Sequence, residues 1–338
     1  MDLSYLSSAM QSLPIIDLSL YQSPAELGKA LMKVGRNPGF FYVVNHNVSR
    51  AMIEDVFAIC SNFFLASSID EKMQFHNGSG DLGYTALRDE TLAGKGKGDL
   101  KESYYMKNVA DMSKLPSLLE TSRTALQEFF TQTQILSELL LKGFAKGLGL
   151  DESYLVDAHS GSHNRMRLIH YPRIDVHDIP TPPPEGSQLD EDKEIRAGIH
   201  SDYGSITLLY QQESDKGGLQ VKSTDGDWID VPAIPGAVVV NIGDALEFWT
   251  AGQLSSTLHR VAFPRNETES GSRFSIPYFV QPNDDFVLSP LLKDDEESQK
   301  RFDEVVRTKG YTSKDKITSG EHLRQRIQST YRTSQLPA

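Results

Sequence analysis

Six short β-rich segments follow one another between residues 205 and 281, and they constrain the fold of this chain more than any other feature. They cover residues 205–211, 218–222, 228–231, 237–242, 256–263 and 273–281. Turn residues separate them, such as Asp-Gly-Asp at 225–227 and Pro-Gly at 235–236. Short strands at close intervals with turn signals between them are typical of an all-β sandwich or barrel. We therefore expect a β-sheet core in this half of the chain.

Helical periodicity flanks these segments on both sides. Apolar residues recur three and four apart in residues 24–36 and 51–66, with a strand-like segment over 40–44 between them. The same spacing over residues 118–148 predicts one or two scaffold helices with a broad buried face. Residues 296–308 and 319–331 predict C-terminal helices. Because the sequence contains no repeat and no second core, we predict a single domain over residues 1–338.

Two segments predict loops. Residues 78–98 are polar and glycine-rich, and we expect a mobile loop there. A phosphate-binding loop would need a Gly-Lys-Ser/Thr ending between a strand and a helix, which this segment lacks. Residues 173–196 contain a proline-rich stretch and an acidic run, which predict an excursion between two strands.

The charge and the cysteine content limit the class of partner and the compartment. The 338 residues carry a formal net charge of -12, which opposes binding to nucleic acid or to an anionic membrane. A small-molecule substrate is the expected partner, and the sequence sets no oligomeric state. Cys60 is the single cysteine, so no internal disulfide can form. Residues 1–13 lack a basic segment followed by an apolar run, so we expect a cytoplasmic protein.

The spacing of His200 and Asp202 predicts a metal site. Residues two apart on an extended strand project to the same face, so one imidazole and one carboxylate could bind a single cation. His259, in another strand-like segment, supplies a third ligand. Two histidines and one carboxylate with open positions are the ligand set of non-haem Fe(II) oxygenases. One histidine alone would more often be structural, and the joint spacing favours the metal.

Arg273 and Ser275 share the same spacing. Strand alternation puts them on the face opposite Phe274 and Ile276, where a guanidinium and a hydroxyl could receive a carboxylate. A surface salt bridge is the alternative for Arg273. Neither Ser201 nor Ser275 lies in a Gly-x-Ser-x-Gly elbow, so an acyl-transfer hydrolase is disfavoured.

Several short motifs occur in an order that resembles a known family. They are residues 13–18 (LPIIDL), 39–46 (GFFYVVNH), 167–172 (RLIHYP), 200–204 (HSDYG), 240–244 (VNIGD), 256–261 (STLHRV) and 273–275 (RFS). The ordered set resembles the Fe(II)- and 2-oxoglutarate-dependent dioxygenases of the isopenicillin N synthase-like superfamily. The resemblance implies a mainly β fold with α-helices. Its double-stranded β-helix (jelly-roll) core, over residues 164–285, would follow an N-terminal family region over 1–115 and be flanked by helices.

The resemblance also implies an activity and its cofactors. Such an enzyme couples the oxidative decarboxylation of 2-oxoglutarate by O2 to hydroxylation, desaturation, ring closure or ring expansion of a small organic metabolite, here in specialised metabolism. His200, Asp202 and His259 would be the catalytic Fe(II) ligands, with ascorbate as a candidate reductant. Arg273, Ser275 and Tyr171 would bind the distal carboxylate of 2-oxoglutarate. Many relatives have asparagine two residues before that tyrosine, where this chain has Ile169, so contacts with the co-substrate would be fewer there.

Two alternative functions stay open at this point. One is an iron oxidase of the same fold that works without 2-oxoglutarate, which the Arg273 and Ser275 pair argues against. The other is a catalytically silent small-molecule-binding protein, which the intact ligand triad argues against.

Arg167 is the candidate substrate-binding residue. Strand alternation places it on the same face as Tyr171, so it would point into the cavity. A buried arginine must be paired, because an unpaired buried charge is costly. Its partner is either an internal acid such as Glu102 or an anionic or strongly polar oxygen of the substrate.

Overall fold

The fold is described from a computed structural model, which covers residues 13–78, 80–93, 98–175, 177, 195–213, 217–291, 295–312 and 314–331. In chain order its strands are β1 (Ile15–Asp17), β2 (Phe40–Val44), β3 (Gly83–Thr85), β4 (Glu102–Met106), β5 (Arg165–Tyr171), β6 (Ile195–His200), β7 (Ile206–Gln211), β8 (Leu219–Lys222), β9 (Trp228–Asp230), β10 (Val238–Ile242), β11 (His259–Ala262) and β12 (Arg273–Val280). Its helices are α1 (Pro24–Arg36), α2 (Arg50–Ala66), α3 (Ile69–Met73), α4 (Ser117–Glu120), α5 (Arg123–Gly147), α6 (Tyr154–Asp157), α7 (Asp244–Trp249), α8 (Glu296–Thr308) and α9 (Ser319–Thr330).

Two β-sheets form the centre of the molecule. The larger has eight strands in the order β1-β2-β10-β7-β12-β5-β4-β3, and the smaller has the order β6-β11-β8-β9. Only the β1–β2 pair is parallel among the pairings of the described strands. Apolar residues of both sheets pack together, including Ile169 and Tyr171 of the larger sheet with Ala197 and Val261 of the smaller. This double-sheet core is the arrangement expected from the sequence.

Strand alternation separates the two faces of the larger sheet. In β12, Phe274 and Ile276 belong to the main apolar core, whereas Arg273 and Ser275 line a cavity between the sheets. A strand exposes successive side chains to opposite faces, so one apolar and one polar set follow from a single alternating sequence. The sequence pattern of this strand therefore decides which residues reach the cavity.

The long helix α5 covers the outer face of the larger sheet. Phe129 packs against Tyr210 of β7 at 4.8 Å between ring centroids, and Phe130 packs against Tyr278 of β12 at 4.9 Å. The spacing of three and four apolar residues gives α5 the broad buried face that this contact needs. The helix therefore buries the apolar face of strands whose other face lines the cavity.

Helix α1 packs closely on α5. Ser23 begins α1 by accepting a hydrogen bond from the Glu26 amide, and Pro24 occupies the first turn, where it costs no hydrogen bond. A Cβ added to Gly28 would lie 2.5 Å from the carbonyl oxygen of Gly143 in α5. The absence of a side chain at position 28 lets the two backbones approach each other.

The local differences from the sequence expectations are small. Part of residues 78–98 forms the strand β3, while residues 79 and 94–97 of this expected loop lie outside the described residues. Most of the expected excursion at 173–196 also lies outside them, namely residues 176 and 178–194. The motif at 240–244 spans the end of β10 and leads through Gly243 directly into α7. In the part of the chain that the structure describes, no helix combines the length and the apolar character needed to cross a bilayer.

Candidate active site

The two histidines of the expected triad are neighbours on the smaller sheet. His200 ends β6, His259 begins β11, and the two are register partners with ring centroids 4.2 Å apart. The Nδ1 atom of His200 lies 2.8 Å from the Gly198 carbonyl oxygen, and that of His259 lies 3.2 Å from the Thr257 carbonyl oxygen. Because a carbonyl oxygen only accepts, each Nδ1 donates, which in a neutral ring leaves the lone pair on Nε2. Both rings therefore have a nitrogen available to a metal.

Asp202 reaches the histidines by a different route from the one that strand spacing predicts. Strand β6 ends at His200, so Asp202 lies beyond it instead of on the same strand face. Its Oδ2 accepts hydrogen bonds from Thr207 Oγ1 at 2.6 Å and from Asn241 Nδ2 at 2.7 Å. Thr207 and Asn241 are register partners on β7 and β10 of the larger sheet. Asp202 Oδ1 then lies 3.8 Å from the Nε2 atom of each histidine.

The donor atoms and their ionisation suit a metal ion. One ligand atom from each of His200, Asp202 and His259 lies within 4.8 Å of the other two. Burial and the nearby His259 lower the pKa of His200 to about 3, so its imidazole is neutral at pH 7. Burial alone would raise the pKa of Asp202, but the two histidines, when protonated, and the hydrogen bonds from Thr207 and Asn241 outweigh burial and lower it. Two imidazoles and a carboxylate match the ligand set of a non-haem Fe(II) site.

The residues expected to bind 2-oxoglutarate lie together in the same cavity. Arg273 of β12 and Tyr171 of β5 are register partners, and Ser275 faces Ile169 on the same pair of strands. The guanidinium carbon of Arg273 lies 5.1 Å from the centre of the Tyr171 ring. All four residues line the cavity that the triad also lines. The structure thus brings a buried guanidinium and two hydroxyls to one side of the triad.

Arg167 also lines this cavity, but its partner is not Glu102. Its guanidinium binds Glu90, with Nη1–Oε1 and Nη2–Oε2 distances of 3.3 and 2.6 Å, and Nη2 also donates to Ser103 Oγ at 2.8 Å. Glu102 points to the opposite face of β4 because alternation puts neighbouring residues on opposite faces. There it accepts hydrogen bonds from Lys72 Nζ at 2.8 Å, among others.

Other cavity residues had no usable signal in the sequence. Glu90 is an acid in a glycine-rich segment, and Thr207 is a polar residue in an apolar strand. The VNIGD motif does contain Asn241, but nothing in it indicates contact with Asp202. Helix α9 and the residue after it also supply part of the wall, through Leu323, Ile327, Thr330 and Tyr331. A tertiary hydrogen bond from the Thr91 amide to the Thr330 carbonyl oxygen, at 2.7 Å, holds this end of the chain in place.

Two protein families match most of the chain between them. Residues 164–282 match the 2OG-Fe(II) oxygenase superfamily. Residues 13–132 match the N-terminal region of the non-haem dioxygenases in morphine synthesis. The first match contains all the expected metal and co-substrate residues, and the second contains Glu90. Together the two matched ranges contain all the described residues of the cavity wall except those of α9 and Tyr331.

Individual relatives agree with the family matches. A UPF0676 protein of Schizosaccharomyces pombe is 34% identical, over 96% of this chain and 94% of its own. The proline hydroxylase buaE of Petromyces alliaceus is 31% identical, over 78% of this chain and 84% of its own.

A similar fold has been solved by crystallography. A full-length Neurospora crassa protein, in complex with alpha-KG and 5-formyluracil, has a TM-score of 0.75 and 30% identity. The match covers 93% of this chain and 95% of the Neurospora protein. These comparisons confirm the resemblance inferred from the sequence. With it they confirm the jelly-roll fold, the oxygenase reaction class and the Fe(II) and 2-oxoglutarate cofactors. The chain belongs to the 2OG-Fe(II) oxygenase superfamily.

Proposed function

We propose that His200, Asp202 and His259 hold the catalytic Fe(II), and that Arg273, Ser275 and Tyr171 bind the distal carboxylate of 2-oxoglutarate. The observation that carries this assignment is the convergence of both sets on one buried cavity. The first set has the donor atoms that Fe(II) needs, and the second has the charge and hydroxyls that a carboxylate needs.

Each group of residues has a defined part in the reaction. When bound, Fe(II) would activate O2, which is the oxidant both for the decarboxylation of 2-oxoglutarate to succinate and for attack on a C–H bond of the substrate. The two imidazoles and Asp202 fix the position of the metal, and Thr207 and Asn241 fix the carboxylate. Arg273 is 4% exposed, so its attraction for a carboxylate is little weakened by water. The protein thus contributes mainly orientation and a dry cavity.

The reaction outcome and the setting stay predictions. Hydroxylation is the default outcome, and desaturation, ring closure and ring expansion are the others that we expect this chemistry to allow. A role in specialised metabolism and a cytoplasmic location are also predictions from the sequence. The named relatives differ in the charge of the compound that they bind or act on, since the thymine bound by the Neurospora crassa protein is neutral and proline is a zwitterion. The charge of the substrate therefore has to be inferred from this chain's own cavity.

The decisive experiment measures succinate and product together. The purified protein is loaded with Fe(II) without oxygen, then given 2-oxoglutarate, oxygen and fractions of a metabolite extract. We expect succinate to form together with a compound that has gained one oxygen atom or lost two hydrogens. Turnover without 2-oxoglutarate would favour the oxidase alternative, and no oxygen uptake with any fraction would favour the silent binding protein.

The ligand assignment has its own readout besides activity. Asp202→Ala should abolish turnover and lower the iron content of the purified protein, because the carboxylate is the only anionic ligand in the triad. His163→Ala is the matched control, since His163 Nδ1 lies 3.2 Å from Asp284 Oδ1 and the residue does not line the cavity. Full iron content and turnover in Asp202→Ala would show that the assignment is wrong.

A further inference from the structure

The charges on the substrate side of the cavity are already matched by the protein. Among the described residues, and apart from the triad and Arg273, the charged side chains that line this wall and their ion-pair partners are Lys101, Arg165, Arg167, Asp81, Glu90 and Asp99. They comprise three cations and three carboxylates. Lys101 pairs with Asp99 and, at 2.9 Å, with Glu90. Arg165 pairs with Asp81 at 2.9 Å. These six groups therefore have no net charge.

The pair of Arg167 and Glu90 is buried and closely matched. The two side chains are 3% and 4% exposed, and they meet through two parallel N–H to O contacts. The Arg167 guanidinium also lies over the Tyr105 ring, 4.2 Å from its centre. Burial would raise the pKa of Glu90, but Arg167 and Lys101 outweigh it and keep the pKa far below its usual value. An anionic substrate at Arg167 would have to displace Glu90 from the guanidinium. This would break a buried, two-contact ion pair, and of its two cationic partners Glu90 would keep Lys101 alone.

Some buried hydrogen-bonding atoms of this wall are, in contrast, without partners. Within the described residues, Tyr203 Oη, Gln281 Oε1 and Arg167 Nε are buried and have no hydrogen-bond partner. All three residues belong to the cavity wall. They provide a hydroxyl that donates and accepts, an amide oxygen that accepts and an N–H that donates. Buried polar atoms normally have partners, so these three point to a ligand with both a donor and an acceptor.

The rest of this wall is apolar or aromatic. It includes Leu92, Tyr105, Phe279, Leu323, Ile327 and Tyr331. The rings of Tyr105 and Phe279 are 6.2 Å apart between centroids and tilted by 37°. Ligand cavities lined mainly by apolar side chains with a few convergent polar groups bind small organic molecules and orient them through those polar groups.

We infer that the substrate is a small uncharged molecule, with an apolar or aromatic body and an amide or hydroxyl edge that faces Arg167, Tyr203 and Gln281. The inference rests on the proposed function, because it assigns the remaining part of the same cavity to the substrate. This inference replaces the hypothesis of an anionic substrate paired with Arg167, because Glu90 already occupies that position. It also separates this chain from enzymes whose substrates are amino acids, which carry both charges.

A set of three probes of similar size tests the charge of the ligand without requiring its identity. Benzamide is neutral, benzoate is anionic and benzylammonium is cationic, while all three have the same ring. Their binding is measured by saturation-transfer NMR on the Zn(II)-loaded protein with saturating 2-oxoglutarate, which occupies the Arg273 side and prevents turnover. We expect benzamide to bind about tenfold or more tightly than either ion. Tighter or equal binding of benzoate or benzylammonium, or no binding of benzamide, would overturn the inference.

A charge-removing variant tests the reason for this preference. Glu90→Gln keeps the shape of the side chain and leaves a cation of the cavity without its carboxylate, so benzoate affinity should rise about tenfold or more. The double variant Glu90→Gln with Arg167→Gln restores the charge balance and should lose that gain. Glu102→Gln is the matched control, because it removes a part-buried carboxylate on the opposite face of β4 and should leave benzoate binding unchanged.

The outcomes separate this inference from the proposed function. An unchanged benzoate affinity in a folded Glu90→Gln protein, checked by its melting temperature, would contradict the charge argument. If that variant does not fold, the comparison of the three probes on the wild-type protein still decides. Binding of benzamide without any succinate formation in the activity assay would refute the proposed function alone. Succinate formation driven only by an anionic or zwitterionic substrate would refute this inference alone.

Discussion

The hydrogen bond from Thr207 to Asp202 provides the most direct test of how the fold builds the metal site. Thr207 Oγ1 donates to Asp202 Oδ2 at 2.6 Å from a strand of the opposite sheet. Thr207→Val removes the hydroxyl and keeps the branched shape, so the strand should be preserved. Asn241 still holds the same oxygen at 2.7 Å, but the carboxylate has lost one of its two side-chain donors. We expect weaker metal binding with little change in fold.

Two independent estimates give the size of the effect. A hydrogen bond to a charged group contributes about 1.5–3 kcal/mol. Removing an outer partner of a metal ligand typically lowers metal affinity about 10- to 100-fold. Since each factor of ten corresponds to about 1.4 kcal/mol, the two ranges agree. The Thr207→Val protein should therefore bind the metal with a Kd raised about 10- to 100-fold.

Metal titration of the apoprotein is the appropriate assay. Co(II) binding is followed by its absorption spectrum, and the Kd of wild type and variant are compared at one pH and ionic strength. Thr133→Val is the matched control, because Thr133 is a buried threonine bonded to Tyr210 Oη at 3.1 Å on the helix side of the same sheet. A Kd of Thr207→Val within twofold of wild type would refute the reasoning. An equal loss in Thr133→Val would show that the effect is a general loss of packing.

Three further predictions concern the co-substrate, pH and helix packing. Arg273→Ala should raise the Kd for 2-oxoglutarate by an amount equivalent to about 2–5 kcal/mol while metal affinity stays near wild type, and calorimetric titration of both ligands checks this. Burial raises the pKa of Glu247 from 4.5 to about 7, so the native state binds a proton that the unfolded state has lost at intermediate pH. This contribution to the unfolding free energy is fully present below about pH 4.5 and decreases, by up to roughly 3 kcal/mol, as pH rises through 7. Urea unfolding gives the unfolding free energy of wild type and of Glu247→Gln, and the value for wild type minus that for the variant should decrease as pH rises from about 4.5 to about 7. A difference that does not change with pH would contradict this prediction. Gly28→Ala should destabilise the fold by about 1–3 kcal/mol because its Cβ would meet the Gly143 carbonyl, whereas Gly271→Ala, with open space around it, should not.

Much of the fold was accessible from local sequence patterns. Strand β12 is an example, because one alternating segment places Phe274 in the core and Arg273 in the cavity. The long helix α5 is another, since the apolar spacing over 118–148 predicts one or two helices with a broad buried face, and the structure has α4 followed by α5 there. Both patterns depend only on the geometry of one element, which is the same in every fold that contains it.

The three residues of the triad could also be predicted from local patterns, but the way in which the fold brings Asp202 to the two histidines could not. His200, Asp202 and His259 form a recognisable set, and the family resemblance supports their joint use. The argument from a continuous strand was nevertheless wrong for Asp202, because β6 ends two residues earlier. Hydrogen bonds from the other sheet position its carboxylate instead.

Local sequence patterns were enough to predict the period of each element, the candidate metal-binding side chains and the family of the chain. The three-dimensional packing was needed to show that Thr207 and Asn241 are neighbours, that Arg167 is paired with Glu90 and that α9 completes the cavity wall. In each case the partners are far apart in sequence, with Arg167 and Glu90 separated by 77 positions. Local spacing fixes which face a side chain occupies, but the order of strands in the sheets fixes which distant side chain it meets there. That order follows from the packing of the whole core, which no single segment contains.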